Sequence, residues 1–198
     1  SIIDLNNSQT NPLSHPLGQV VSDAGLTQLH IGETEKYAHI TYFFNAGREE
    51  PFDKELRIVV PSQKVATYDS APQMSAREIT QACIDAWHKD KPAFSVVNYA
   101  NADMVGHTGN RAATIRAVET VDQQLNILVD ALHKDATYII ITADHGNAEQ
   151  LKNPSNQMID TEHSTNPVPC ILIRPEDIIS PMMSQSEDQR IAFASQEP

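Results

Sequence analysis

The spacing of apolar positions switches back and forth between two periods along the chain. Leu17, Val20, Val21 and Ala24 recur at helical spacing, and Gly25 follows as a helix-ending residue. Leu26 to Ile31 then alternates apolar with polar, as a short strand does. Glu33 to Phe44 returns to the helical period, with Tyr37, Ile40, Phe43 and Phe44 as its stripe and Gly47 near its end. Lys36 and His39 sit beside that stripe. Arg48 to Asp53 is charged and loop-like, Arg57 to Val60 reads as a strand closed by Pro61, and Val65 to Met74 is irregular.

Ser75-Ala-Arg-Glu78 has the form of a capping box, in which the serine oxygen accepts from a backbone N–H three residues on and the glutamate reaches back. The helix it predicts runs to about His88, with Ile79, Ala82, Cys83 and Ala86 on one face, and Lys89-Asp-Lys-Pro92 ends it. Ala93 to Asn98 reads as a buried strand. From Asn110 to His133 the spacing of Ala113, Ile115, Ala117, Val118, Val121, Leu125, Leu128 and Leu132 predicts a long helix. Tyr138 to Thr142 is apolar and mostly β-branched, the mark of a strand covered on both faces in a parallel sheet. Val168 to Ile173, introduced by Asn166-Pro-Val-Pro169, is the last strand. Strands alternating with long helices predict an α/β fold with a largely parallel sheet flanked by helices. Residues 1 to 16, polar with Pro12 and Pro16, read as a linker; residues 17–175 form the folded part; 176–198 read as a polar, frayed tail.

Composition narrows the class. The 198 residues suffice for one sizeable core, and 40% hydrophobic content is that of a globular chain. No apolar run approaches the ~20 residues that span a bilayer. Cys83 and Cys170 lack metal-type spacing and read as buried thiols in a reducing compartment. The net charge of −12 opposes nucleic acid and anionic membrane as partners. An anionic substrate would therefore call for bound cations, which dominate the local charge wherever they sit.

Candidate chemistry gathers at segment ends. The strand at Ile139 runs into Asp144-His145-Gly146-Asn147, where a carboxylate and an imidazole adjoin a turn. Open α/β sheets bind ligands at that end of their strands. Asp103-Met-Val-Gly-His107 and Glu162-His163 repeat the combination. Carboxylate oxygen with neutral imidazole suits Mn²⁺, Zn²⁺, Fe²⁺ or Co²⁺ better than Ca²⁺ or Mg²⁺. Five candidate ligands, Asp103, His107, Asp144, His145 and His163, are too many for one open catalytic metal and too few to hold two. A two-metal site lacking a piece fits the count, and paired metals are a known device of phosphoryl chemistry. His15, His30, His88 and His133 read as ordinary surface or core histidines, and Lys36, judged by residue type, as a solvated surface lysine.

Several longer stretches are recognisable. They are Glu35-Lys-Tyr-Ala-His39 with Phe43-Phe-Asn-Ala-Gly47, Val60-Pro-Ser-Gln-Lys-Val-Ala-Thr-Tyr-Asp69, and Asn101-Ala-Asp-Met-Val-Gly-His-Thr-Gly109. Ile141-Thr-Ala-Asp-His-Gly-Asn-Ala-Glu149 and His163-Ser-Thr-Asn-Pro-Val-Pro169 complete the set. In this order, from about Leu17 to Arg174, they resemble the cofactor-independent phosphoglycerate mutases of the alkaline phosphatase superfamily. The resemblance implies a glycolytic, cytoplasmic isomerase, monomeric, that interconverts 2-phosphoglycerate and 3-phosphoglycerate through a phosphoserine intermediate. It implies two divalent metals, Mn²⁺ first and Mg²⁺, Co²⁺ or Zn²⁺ as alternatives, and no organic cofactor. By resemblance Asp103, His107 and His163 hold one metal, Asp144 and His145 the other, and Lys36 neutralises the transferring phosphoryl group.

The departure from the family is large. Its serine nucleophile, one further metal-binding aspartate and the arginines that grip the glycerate belong to an N-terminal phosphatase segment and an inserted transferase domain, and none of those motifs occurs here. The chain therefore resembles the C-terminal part of the phosphatase domain, with its partners the phosphoglycerate substrate and those two missing pieces. The rival readings are a non-catalytic metal-binding fragment and another phosphatase or phosphotransferase of the superfamily, such as a phosphopentomutase.

Overall fold

The computed structural model describes residues 15–153, 156, 158–160 and 162–178. Most of the expected linker and tail (1–14 and 179–198) lies outside the described residues.

The chain enters through a short helix, α1 (Leu17–Asp23), and turns at Gly25 into β1 (Gln28–Glu33). This strand is the centre of a parallel sheet, flanked by β2 (Glu55–Val60) and β3 (Phe94–Val97) in the order β2-β1-β3. Its alternation of apolar and polar residues suggests one exposed face, yet all six residues are buried. Leu29 and Ile31 enter a cluster with Ile79, Cys83, Leu128 and Leu132. The polar face is covered too, because its groups find partners. Gln28 donates to the Gly18 carbonyl at 2.7 Å, and His30 Nδ1 lies 2.6 Å from the Ile40 carbonyl. A polar group can be buried at low cost when it is hydrogen-bonded, so His30 is a satisfied core histidine.

Two long helices cover the apolar face. α2 (Ala76–Asp90) presents Ile79, Cys83 and Ala86 to it. The capping box does not form: the Ser75 side chain makes no cap bond and instead donates to the Pro61 carbonyl at 2.9 Å, which ties the end of β2 to the start of the helix. The helix stops where Lys91 adopts the left-handed conformation just before Pro92. Past β3 the expected loop contains a helix, α3 (Asn101–Gly106), and then α4 (Arg111–Leu132) begins with the Asn110 side chain accepting from the Ala113 N–H at 3.2 Å.

Four further expectations are corrected. The segment after β1 is not one regular helix: a 3₁₀ turn (Thr34–Lys36) leads into a π-helix (His39–Phe43). The wider turn buries Ile40 and Thr41 but leaves Phe43 62% exposed. Next, β4 (Ile139–Thr142) does not join the parallel sheet; it pairs antiparallel with β5 (Cys170–Ile173) in a separate two-stranded sheet. Ile140 is 66% and Leu172 54% exposed, so neither strand is covered on both faces. β3 likewise is only half-buried. Lastly, Cys83 is buried, with its thiol pushed up to about 12 by burial, whereas Cys170 is exposed. No helix among the described residues is long and apolar enough to cross a membrane.

Candidate metal centre

Four segments meet beyond the C-terminal ends of the strands. The turns after β1 carry Lys36 and His39. α3, after β3, carries Asp103 and ends on His107. Their i, i+4 spacing puts both on one helix face. The loop after β4 carries Asp144, His145, Asn147 and Glu149, and the approach to β5 carries His163.

Asp103, His107 and His163 each offer a ligand atom, and these atoms lie within 4.8 Å of one another. His107 Nε2 is 3.1 Å and His163 Nε2 3.4 Å from Asp103 Oδ1. The other oxygen, Oδ2, is paired with the Lys36 ammonium. The side chains of that pair are only 8% and 14% exposed, which corrects the surface reading of Lys36. Burial would raise the Asp103 pKa, but hydrogen bonding and charge from Lys36, with Asn147 and His107, hold it below the usual carboxylate value.

Asp144 and His145 lie beside this trio. The His145 ring stacks on His163, centroids 3.5 Å apart and planes at 11°. Its Nε2 approaches Asp144 Oδ2 at 3.5 Å, and both its buried ring nitrogens lack a hydrogen-bond partner among the described residues. Buried polar atoms are normally satisfied, so this imidazole is placed to take a ligand. His39 belongs to the same field. Burial, then Lys36, press its pKa below the ordinary imidazole value, while Asp144 and Asp103 act in the opposite sense.

Asn147, which the sequence presented only as part of a turn, and Glu149 hold the loops in place. Buried Asn147 donates from Nδ2 to Asp103 Oδ1 at 2.6 Å. Gly106 permits this approach, since a Cβ there would collide with the Asn147 side chain. Glu149 accepts from the Asn147 N–H at 2.9 Å, from Asn166 Nδ2 at 3.0 Å and from the Ser164 hydroxyl. Those bonds, the one from Ser164 foremost, hold its pKa down at about 2. A β-bridge between Gly146 and Ser164 completes the clamp that carries His163 to Asp103. The single sequence signal for it was the polar run Asp144–Glu149 itself.

A groove of about 960 Å³ between α4 and the β4–β5 sheet is lined by Ile127, Ile141, Ile171 and Ile173 among others. No ligand-type residue of the centre lines it, so it is an apolar surface feature distinct from the chemistry.

The sequence matches the metalloenzyme superfamily over residues 7–194. It is 54% identical over 160 residues to the 2,3-bisphosphoglycerate-independent phosphoglycerate mutase of Thermomicrobium roseum, covering 81% of this chain and 30% of that protein. The enzyme of the same name from Thermosynechococcus vestitus is 56% identical over 164 residues, covering 83% and 31%. The fold superposes on the crystal structure of Leishmania mexicana phosphoglycerate mutase at low cobalt concentration with a TM-score of 0.71. The identity there is 34%, over 77% of this chain and 30% of the other. The chain thus spans 30–31% of the length of these curated relatives.

Proposed function

The chain belongs to the metalloenzyme superfamily, and from that premise we propose that it forms the C-terminal, metal-binding part of a cytoplasmic 2,3-bisphosphoglycerate-independent phosphoglycerate mutase. The observation that carries this reading is the meeting of Asp103, His107 and His163, drawn from segments up to 60 positions apart, at one point beside Lys36 and His145. One carboxylate oxygen and two imidazole nitrogens suit a divalent transition ion such as Mn²⁺. Asp103, His107 and His163 would hold one ion; Asp144 and His145 would supply part of a second site. Such ions polarise a phosphoryl oxygen.

The chain's own residues supply position and charge. Lys36 offers a buried ammonium to the phosphoryl group. Asn147 fixes the Asp103 carboxylate, and Glu149 fixes the approach of His163. The substrate is 2- or 3-phosphoglycerate, and the serine that takes the phosphoryl group and the arginines that hold the glycerate come from an N-terminal segment and a transferase domain outside this sequence. Transfer through a nucleophile splits one difficult step into two. The chain alone is accordingly expected to show no mutase turnover.

An assay coupling 3-phosphoglycerate to enolase, with Mn²⁺ present, tests this. The expected result is no turnover by the 198-residue chain and recovery on adding a polypeptide that carries the missing segments. Robust turnover by the chain alone, lost in His107→Ala, would overturn the assignment of the nucleophile. Phosphate release without isomerisation would favour a phosphatase of the same superfamily.

A further inference from the structure

The two oxygens of Asp103 face different groups. Oδ1 faces His107 Nε2 at 3.1 Å, His163 Nε2 at 3.4 Å and the Asn147 amide at 2.6 Å; Oδ2 faces Lys36. Among the described residues Asp103 is the one carboxylate within ion-pair distance of Lys36. Both side chains are largely shielded from water, so solvent screens this charge pair far less than a surface one. A cation at Oδ1 and the ammonium at Oδ2 therefore draw on a single negative charge, and each weakens the hold of the other.

We propose that Asp103 couples metal binding to anion binding through Lys36: the lysine opposes the metal while paired with Asp103, and an anion of the phosphate class that draws the ammonium toward itself strengthens the metal's hold. The inference rests on the metal-centre reading above and adds an order to it. Coupling between two ligands is reciprocal, so a bound metal also makes Lys36 more available to the anion. Lys36 then acts on the metal through Asp103, as a positioning charge, in addition to any contact it makes with substrate.

The test turns on a sign. Calorimetric titration of the chain with Mn²⁺ is compared with Lys36→Met, which keeps an unbranched side chain one atom shorter and removes its charge. The coupling predicts tighter Mn²⁺ binding in the variant, by roughly 5- to 150-fold; a merely structural role for the lysine predicts weaker binding. Inorganic phosphate should tighten Mn²⁺ binding in the wild-type chain and do so much less in Lys36→Met. Should Lys36→Met fail to fold, Lys36→Gln, which keeps a donor for Asp103, is expected to shift the affinity in the same direction. Equal or weaker Mn²⁺ binding in a folded variant overturns the coupling. A wild-type chain that binds no Mn²⁺ overturns the metal-centre reading, and this inference with it.

Discussion

The half of the molecule built on β1 and the half built on β4 and β5 are made of similar residues and end up in opposite conditions. In the first, Leu29, Ile31, Ile79 and Cys83 are wholly buried between the parallel sheet and α2 and α4. In the second, Tyr138, Ile140, Ile171 and Leu172 are each more than half exposed. Both halves deliver candidate ligand side chains to the same point. Lys36 and Asp103 arrive on elements that follow β1 and β3, whereas His145 and His163 arrive on loops flanking β4 and β5. The centre thus has one rigid wall, set by a packed core, and one wall held by polar bonds such as those of Glu149. Apolar exposure on this scale is unusual for a surface that stays bare. It is the condition expected if further chain packs over β4 and β5, in keeping with a relative of which the matched stretch is only 30%.

The largest expected effect lies in the packed half. Ile31→Ala should cost about 3 kcal/mol of stability, since truncating a buried isoleucine loses transfer energy and leaves a cavity; urea unfolding measures it. A loss below about 1 kcal/mol would mean that the β1 core can collapse, and the contrast would fail.

Amide hydrogen exchange comes next. β1 should exchange near the global unfolding limit, and β4 and β5 faster by orders of magnitude, because a two-stranded sheet with open faces unfolds locally. Equal protection would break the comparison outright.

Acid should sharpen it. Glu149 is depressed in the folded state to about 2 from an ordinary value of 4.5. Its contribution is therefore present above about pH 4.5 and is lost as pH falls toward 2. Exchange at Gly146 and Ser164 should quicken across that window ahead of β1. Glu149→Gln should remove this pH dependence and weaken Mn²⁺ binding roughly 10- to 100-fold, the usual cost of losing a partner that orients metal ligands.

The smallest effect is the sharpest contrast with the first. Ile140→Thr, on an exposed face of β4, should change the stability of the isolated chain by less than about 0.5 kcal/mol. A loss like that of Ile31→Ala would show that this face is covered.

Local patterns determined what depends on neighbours in the chain. The period of α4 and its Asn110 cap, the β-branched run of β2, and the turn at Gly25 were all legible, because helical spacing, capping and left-handed turns involve residues a few positions apart. The pairing of ligand types in Asp103 with His107 and in Asp144 with His145 was legible for the same reason. Tertiary structure decided the rest. Ser75 could cap its helix or bond Pro61, and the nearness of the end of β2 settled it. Ile139 to Thr142 has the composition of a buried parallel strand, but only the return of β5 made it antiparallel and left it half-bare. Lys36 has the side chain of a surface residue, and α3 brought Asp103 against it. His163 lies 60 positions beyond Asp103, and the bonds of Glu149 to Ser164 and Asn166, which carry it there, join residues that no periodicity relates. Spacing encodes faces of single elements; which faces meet is fixed by packing and by hydrogen bonds between distant segments.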